Sequence, residues 1–169
     1  MLDTRKTAPG LRLLDKLAVR LGGAANHRVG LFDRVLVKDN HVEAAGGIRA
    51  ALTAVTARVS PDVPVEIEAR TLEEVDQVLA AHAEGLRVDT VLLDNRARRT
   101  DTDGATGLDV SVLAEAVRRI GGRLQTEASG NVTLDTVGAI AATGVDAVSS
   151  GALTHSVRAL DVSLKIALG

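Results

Sequence analysis

Short runs of β-branched residues alternate along this chain with longer segments whose apolar positions recur at helical spacing. Leu11, Leu14, Leu17, Ala18 and Leu21 repeat at intervals of three and four, behind Pro9 and ahead of Gly22-Gly23. That pattern predicts a helix with proline near its first turn and glycine at its end. Arg34-Val35-Leu36-Val37-Lys38 reads as a strand, Ile48 to Val59 as a helix, and Val63 to Glu68 as the next strand. Thr71 followed three residues on by Glu74 predicts a capping box for a helix reaching about Ala81. The series continues with strand Thr90 to Leu93, helix Val110 to Ile120, strand Arg123 to Thr126, helix Leu134 to Ala142 and strand Ala147 to Ser149. Asp101-Thr102-Asp103-Gly104 is expected as a polar loop, and Leu160 to Leu168 fits strand or helix spacing equally.

Strict alternation of β and α predicts parallel strands joined by right-handed helical crossovers. The pattern supplies roughly five or six such units, fewer than the eight of a complete barrel, which needs about 250 residues. An incomplete parallel α/β barrel is therefore expected, as a single domain over residues 1–169. In such folds ligands bind at the carboxyl ends of the strands. Strand parity puts Glu66 and Glu68 on one face and Val65 and Ile67 on the other; Leu36 aligns with Lys38, and Leu92 with Asp94.

Composition narrows the function. The chain is 46% hydrophobic, enough to bury a core. A net charge of -2, one Phe and no Trp or Tyr argue against nucleic acid, which needs a basic face and stacking platforms. Cysteine is absent, which excludes disulfides and thiolate metal sites, and the four histidines lack zinc-ligand spacing. No apolar run is long enough to span a membrane, so a cytoplasmic protein with no membrane partner is expected. Against this mildly acidic background, Arg5, Lys6, His27, Arg28 and Lys38 gather within the first forty-one residues, beside predicted strand ends. Such a concentration suits a small substrate with several negative charges. Ser129-Gly130-Asn131 and Ser150-Gly151-Ala152 stand where a strand passes into a helix, a place where backbone N–H groups cradle phosphate. Taken singly, each cluster has an ordinary reading as a solvated pair, a structural histidine or a plain turn. All of them at one barrel end do not.

The motifs Asp3-Thr4-Arg5-Lys6-Thr7-Ala8-Pro9-Gly10, Asn26-His27-Arg28, Val37-Lys38-Asp39-Asn40-His41, Leu93-Asp94-Asn95, Glu127-Ala128-Ser129-Gly130 and Gly151-Ala152-Leu153-Thr154-His155-Ser156 occur in this order. In that series the chain resembles the quinolinate phosphoribosyltransferases, from Leu2 to about Ile166. The resemblance implies a type II phosphoribosyltransferase barrel that converts quinolinate and phosphoribosyl pyrophosphate to nicotinate mononucleotide, pyrophosphate and CO2 with Mg²⁺. It implies substrate binding by Thr4, Arg5, His27, Arg28 and Glu66, and catalysis by Lys6, Lys38, Glu68 and Asp94. It further implies that Glu68 and Asp94 double as magnesium ligands and that Ser129, Gly130, Asn131, Ser150, Gly151 and Ala152 hold phosphate. Planar guanidinium forks match the two carboxylates of quinolinate, which supports the arginine assignments independently.

Two departures from the family pattern stand out. Asn131 replaces a second glycine, a position where Asn tolerates positive φ better than most residues. The chain also starts at the strand bearing Asp3 to Lys6, so the family's amino-terminal domain is expected to be missing, and a homodimer or higher homo-oligomer is expected to cover the exposed edges. Three further readings compete: a non-catalytic remnant or assembly subunit, a paralogue of the molybdenum-transport-associated type, and an unrelated phosphate-binding barrel.

Overall fold

The computed structural model describes residues 1–102 and 105–167. Its elements run α1 (Arg12–Leu21), β1 (Val35–Val37), α2 (Asp39–Ala45), α3 (Ile48–Arg58), β2 (Val65–Ala69), α4 (Leu72–Ala83), β3 (Thr90–Asp94), β4 (Arg98–Thr102), β5 (Ala105–Asp109), α5 (Ser111–Ile120), β6 (Gln125–Ser129), α6 (Leu134–Ala141), β7 (Ala147–Val148) and α7 (Ala152–His155). Five strands form one sheet in the order β1-β2-β3-β6-β7, every pair parallel. Leu2 extends the sheet by parallel bridges to Ser149 and Ala25. The sheet must curl, because His27, two residues beyond that added edge, touches both Glu66 on β2 and Glu127 on β6. The result is the expected incomplete barrel, open between Ala25 and β1.

The outer face of the sheet carries Val65, Ile67, Val91, Leu93, Ala128 and Val148, which pack with Leu52, Val75, Val78, Leu113, Ile120 and Ile140 from the helices into one core. Burying each such side chain contributes about 1.5–3 kcal/mol before the entropy cost of ordering it. The opposite parity faces the barrel interior. There Leu36 pairs with Glu66, Glu66 with Thr90, Glu68 with Leu92, Leu92 with Glu127 and Asp94 with Ser129. The face-sharing read from the sequence therefore holds. The interior is not apolar throughout, since Glu66 and Glu127 are buried inside the barrel itself.

Most elements fall where hydrophobic spacing predicts them, with instructive exceptions. The leucine stripe of α1 faces outward, with Leu14 62% and Leu21 80% exposed, while Lys16 and Val19 are the buried positions. Lys16 is drawn inward by Asp3, a tertiary demand invisible in the helix's own pattern. The capping box at Thr71 forms only in part: Thr71 Oγ1 accepts from Glu74 N at 3.1 Å, but the Glu74 carboxylate takes Arg70 N instead. Helix α2 has no apolar stripe and no buried residue, so periodicity missed it. Strand β6 starts two residues later and ends three residues later than predicted, which moves Glu127 from a loop into the strand. Where a polar loop is expected at Asp101 to Gly104, β4 and β5 form an antiparallel hairpin; Asp103 and Gly104 lie outside the described residues. Residues 157–167 form no helix or strand and are exposed, and Leu168 lies outside the described residues.

Candidate active site

Asp3 organises the first part of the site. Fully buried, it accepts from Lys16 Nζ at 2.6 Å, Asn26 Nδ2 at 2.7 Å and His27 N at 2.7 Å. One carboxylate thus fixes α1, the loop at Asn26 and the backbone that aims His27. Asp33 does the same for the next stretch, accepting from Val29 N and Gly30 N at 2.7 and 2.9 Å. These anchors leave Thr4, Arg5, Lys6, His27, Arg28, Lys38, Asp94 and Ser129 on the wall of one cavity of about 290 Å³. Asp3, Leu36, Leu92, Glu127 and Ser149 complete the wall.

The electrostatics of this cavity favour anions. Burial, and then the nearby positive charge of Arg5, pull the Arg28 guanidinium below its ordinary value. Two guanidiniums close enough to oppose each other's charge are stabilised when an anion sits between them. Lys38 Nζ lies 3.4 Å from Glu68 Oε2. Burial raises the Glu68 carboxyl above the usual carboxylate range, with Lys38 opposing and Asp94 reinforcing that rise.

A second cavity of about 420 Å³ adjoins the first and shares Thr4, Lys6, Lys38, Asp94, Ser129 and Ser149 with it. Its remaining wall includes Glu68, Gly130, Asn131, Ser150, Gly151, Ala152 and His155. Asn131 has φ +52°, so asparagine does adopt the left-handed turn the sequence left in question. Gly130, at φ +98°, holds a backbone conformation in which a side chain is strained, and a Cβ there would also displace the Asn95 side chain. The turn thereby presents backbone to the cavity just ahead of α6. Gly151 keeps an ordinary helical φ of -65°, and a Cβ there would meet only the His155 ring.

Every residue named from the sequence as binding or catalytic lines one of these two cavities except Glu66. It lies beneath the wall, where Oε2 accepts from His27 Nε2 at 2.8 Å and Arg34 Nη1 at 3.2 Å. Sequence reasoning missed Asp3, Lys16, Arg34 and Glu127 as contributors. Asp3 and Glu127 stood inside the quoted motifs; parity with Ser129 was the available signal for Glu127. Lys16 and Arg34 carried none.

Together the fold and cavities define an open parallel α/β barrel with a cation-lined cleft at the carboxyl ends of its strands. The chain belongs to the quinolinate phosphoribosyl transferase family: the model for the C-terminal domain of that family matches residues 1–165. It is 54% identical to the chloroplastic carboxylating nicotinate-nucleotide pyrophosphorylase of Oryza sativa subsp. japonica, covering 98% of this chain and 45% of that protein. Among solved structures, NadC from Streptococcus pyogenes superimposes with TM-score 0.82 at 37% identity, covering 97% of this chain and 52% of that one. The nicotinate-nucleotide pyrophosphorylase of Francisella tularensis gives TM-score 0.80 at 42% identity, over 96% of this chain and 51% of that one. The chain thus spans about half the length of the relatives it matches.

Proposed function

We propose that this chain forms the substrate site of an enzyme that transfers the phosphoribosyl group of phosphoribosyl pyrophosphate to quinolinate, releasing pyrophosphate and CO2 and leaving nicotinate mononucleotide for NAD biosynthesis. The observation that carries this reading is the adjacency of a cation-walled cavity and a glycine-turn cavity that share Lys6, Lys38, Asp94 and Ser129. A dicarboxylate fits the first and a phosphorylated sugar the second, with the bond to be made at their junction.

Arg5 and Arg28 hold the two carboxylates, helped by Thr4 and His27. Lys6 and Lys38 stand between acid and donor. Loss of pyrophosphate leaves positive charge on the ribose, which the carboxylates of Glu68 and Asp94 stabilise. Phosphate oxygens take the backbone around Ser129, Gly130, Asn131, Ser150, Gly151 and Ala152. The pair Glu68 and Asp94 also fits Mg²⁺, which is usually held by one or two carboxylates together with substrate phosphates. Their mutual repulsion, which contributes to the raised Glu68 carboxyl, is the state a cation relieves. At these two carboxylates Mg²⁺ would supply positive charge to the diphosphate. The proposed assembly is a homodimer or higher homo-oligomer in the cytoplasm. None of the described helices is long and apolar enough to cross a membrane.

The test is mass-spectrometric detection of nicotinate mononucleotide from purified chain, quinolinate, phosphoribosyl pyrophosphate and Mg²⁺, with nicotinate as control acceptor. Product from quinolinate and not from nicotinate is expected. Product from nicotinate alone would overturn the two-carboxylate assignment of Arg5 and Arg28.

A further inference from the structure

Glu127 has no role in the scheme above, yet it lines the acid-binding cavity while only 2% exposed. Its neighbours leave it short of positive charge. His27 Nδ1 accepts from Arg28 N at 2.7 Å, so the ring hydrogen directed at the carboxylates is the one on Nε2. That hydrogen goes to Glu66 at 2.8 Å, and the nearest Glu127 oxygen is 3.5 Å away. Arg34 also reaches Glu66. Glu66 thus takes both strong donors, and Glu127 keeps a neutral hydroxyl, that of Ser149.

Glu66 Oε1 is buried with no hydrogen-bond partner among the described residues. One oxygen from each glutamate lies within 4.8 Å of the other and of His27 Nε2. Two carboxylates this close in a dry site do not both ionise. A proton on Glu127 relieves the repulsion between the two carboxylates. A metal ion here would need the lone pair of His27 Nε2, which instead carries the hydrogen held by Glu66.

We propose that Glu127 is a catalytic general acid, a neutral carboxyl on the cavity wall that gives its proton to the ring carbon losing CO2. This rests on the function proposed above. After ribosylation of the ring nitrogen, the bond from the adjacent ring carbon to its carboxylate breaks and the electron pair stays on that carbon as CO2 leaves. The Glu127 O–H bond then breaks and its proton joins that pair, forming the C–H bond of the product. Glu127 is left as a carboxylate and regains a proton from water after release. Entering neutral also spares the dianionic substrate a like charge on its wall. Burial first, and the charge of Glu66 second, push the Glu127 carboxyl up to about 7, with His27, Ser149 and Arg34 opposing. An acid of that strength is matched to transfer near neutral pH.

The experiment compares wild type with Glu127→Gln, which keeps shape and loses the transferable proton, measuring pyrophosphate and CO2 separately. The expected variant releases pyrophosphate within a few fold of wild type, forms nicotinate mononucleotide at least ~100-fold more slowly, and accumulates the ribosylated dicarboxylate. It also loses the alkaline limb of the wild-type pH profile. Wild-type product formation by the variant, or equal loss of pyrophosphate and CO2 release, overturns the inference and leaves the function standing. If the wild-type chain releases neither, the function fails and the inference with it. A ligand-free check is ¹³C NMR titration of the Glu127 carboxyl in the folded chain. A midpoint near neutrality supports the proposal; one in the ordinary carboxylate range overturns it whether or not the chain turns over.

Discussion

Asp3 shows how a single residue can decide the geometry of a site it does not dominate chemically. Its carboxylate is wholly buried and bonded to Lys16, Asn26 and the His27 backbone. Asp3→Ala leaves the Lys16 ammonium buried and uncompensated, a loss expected to cost about 3–5 kcal/mol and measurable by urea unfolding. A loss below about 1 kcal/mol would mean that water already reaches Lys16. Gly130 is constrained differently. Gly130→Ala meets Asn95 on a backbone at φ +98°, so both the turn and phosphate affinity should suffer. Calorimetry with phosphoribosyl pyrophosphate is expected to show at least ~10-fold weaker binding, since a displaced turn loses charge-assisted hydrogen bonds worth about 1.5–3 kcal/mol. Lys38→Ala, with both substrates below saturation, is expected to lower product formation because it removes the cation shared by the two cavities. Unchanged turnover would sink its assigned role. Arg5, Lys6, His27, Arg28 and Lys38 were legible in sequence because cations clustered in an acidic chain need a reason. Lys16 was not legible, since a lysine in an amphipathic helix ordinarily points to water.

At the scale of elements, strand parity was the most reliable guide and helix faces the least. Two-residue periodicity admits only two faces, so Glu66 and Glu68 had to share one. A helix offers a continuous range of rotations, and α1 used one that buries Lys16 and exposes Leu13, Leu14, Leu17 and Leu21. Those leucines contribute little to the isolated fold. Leu14→Glu with Leu17→Glu is therefore expected to change the melting temperature of the chain by no more than a few degrees, as surface substitutions do. A fall above 10 °C would show that the stripe is already covered in solution. Helix α2 and the β4–β5 pair escaped prediction because α2 buries no residue and neither Arg98 to Thr102 nor Ala105 to Asp109 alternates apolar with polar residues in sequence.

Over the whole molecule, both the outward leucines of α1 and the residues Val157, Leu160, Val162, Leu164 and Ile166 are exposed. Apolar surface of that extent favours association. Light scattering well above micromolar concentration is expected to find an oligomer, and a monodisperse monomer would contradict that expectation. Stability should also depend on pH through Glu127. Its folded value, about 7, lies above its ordinary 4.5. The folded state therefore binds the proton more tightly, and this contribution is complete below about pH 4.5 and lost as pH rises through about 7. The difference is on the order of a few kcal/mol. Melting temperature should fall between pH 5.5 and pH 8 by several degrees, and Glu127→Gln should flatten that fall. By itself the sequence determined the alternation of strand and helix, the faces of the strands, the cationic clusters and the family. These are local periodicities and linear motifs, which need no knowledge of distant neighbours. Only the tertiary structure decided that the sheet curls until His27 meets Glu66 and Glu127, that Lys16 turns inward, and that two cavities share one wall. Those outcomes depend on contacts across 11, 13, 39 and 100 positions of chain, which no window along the sequence contains.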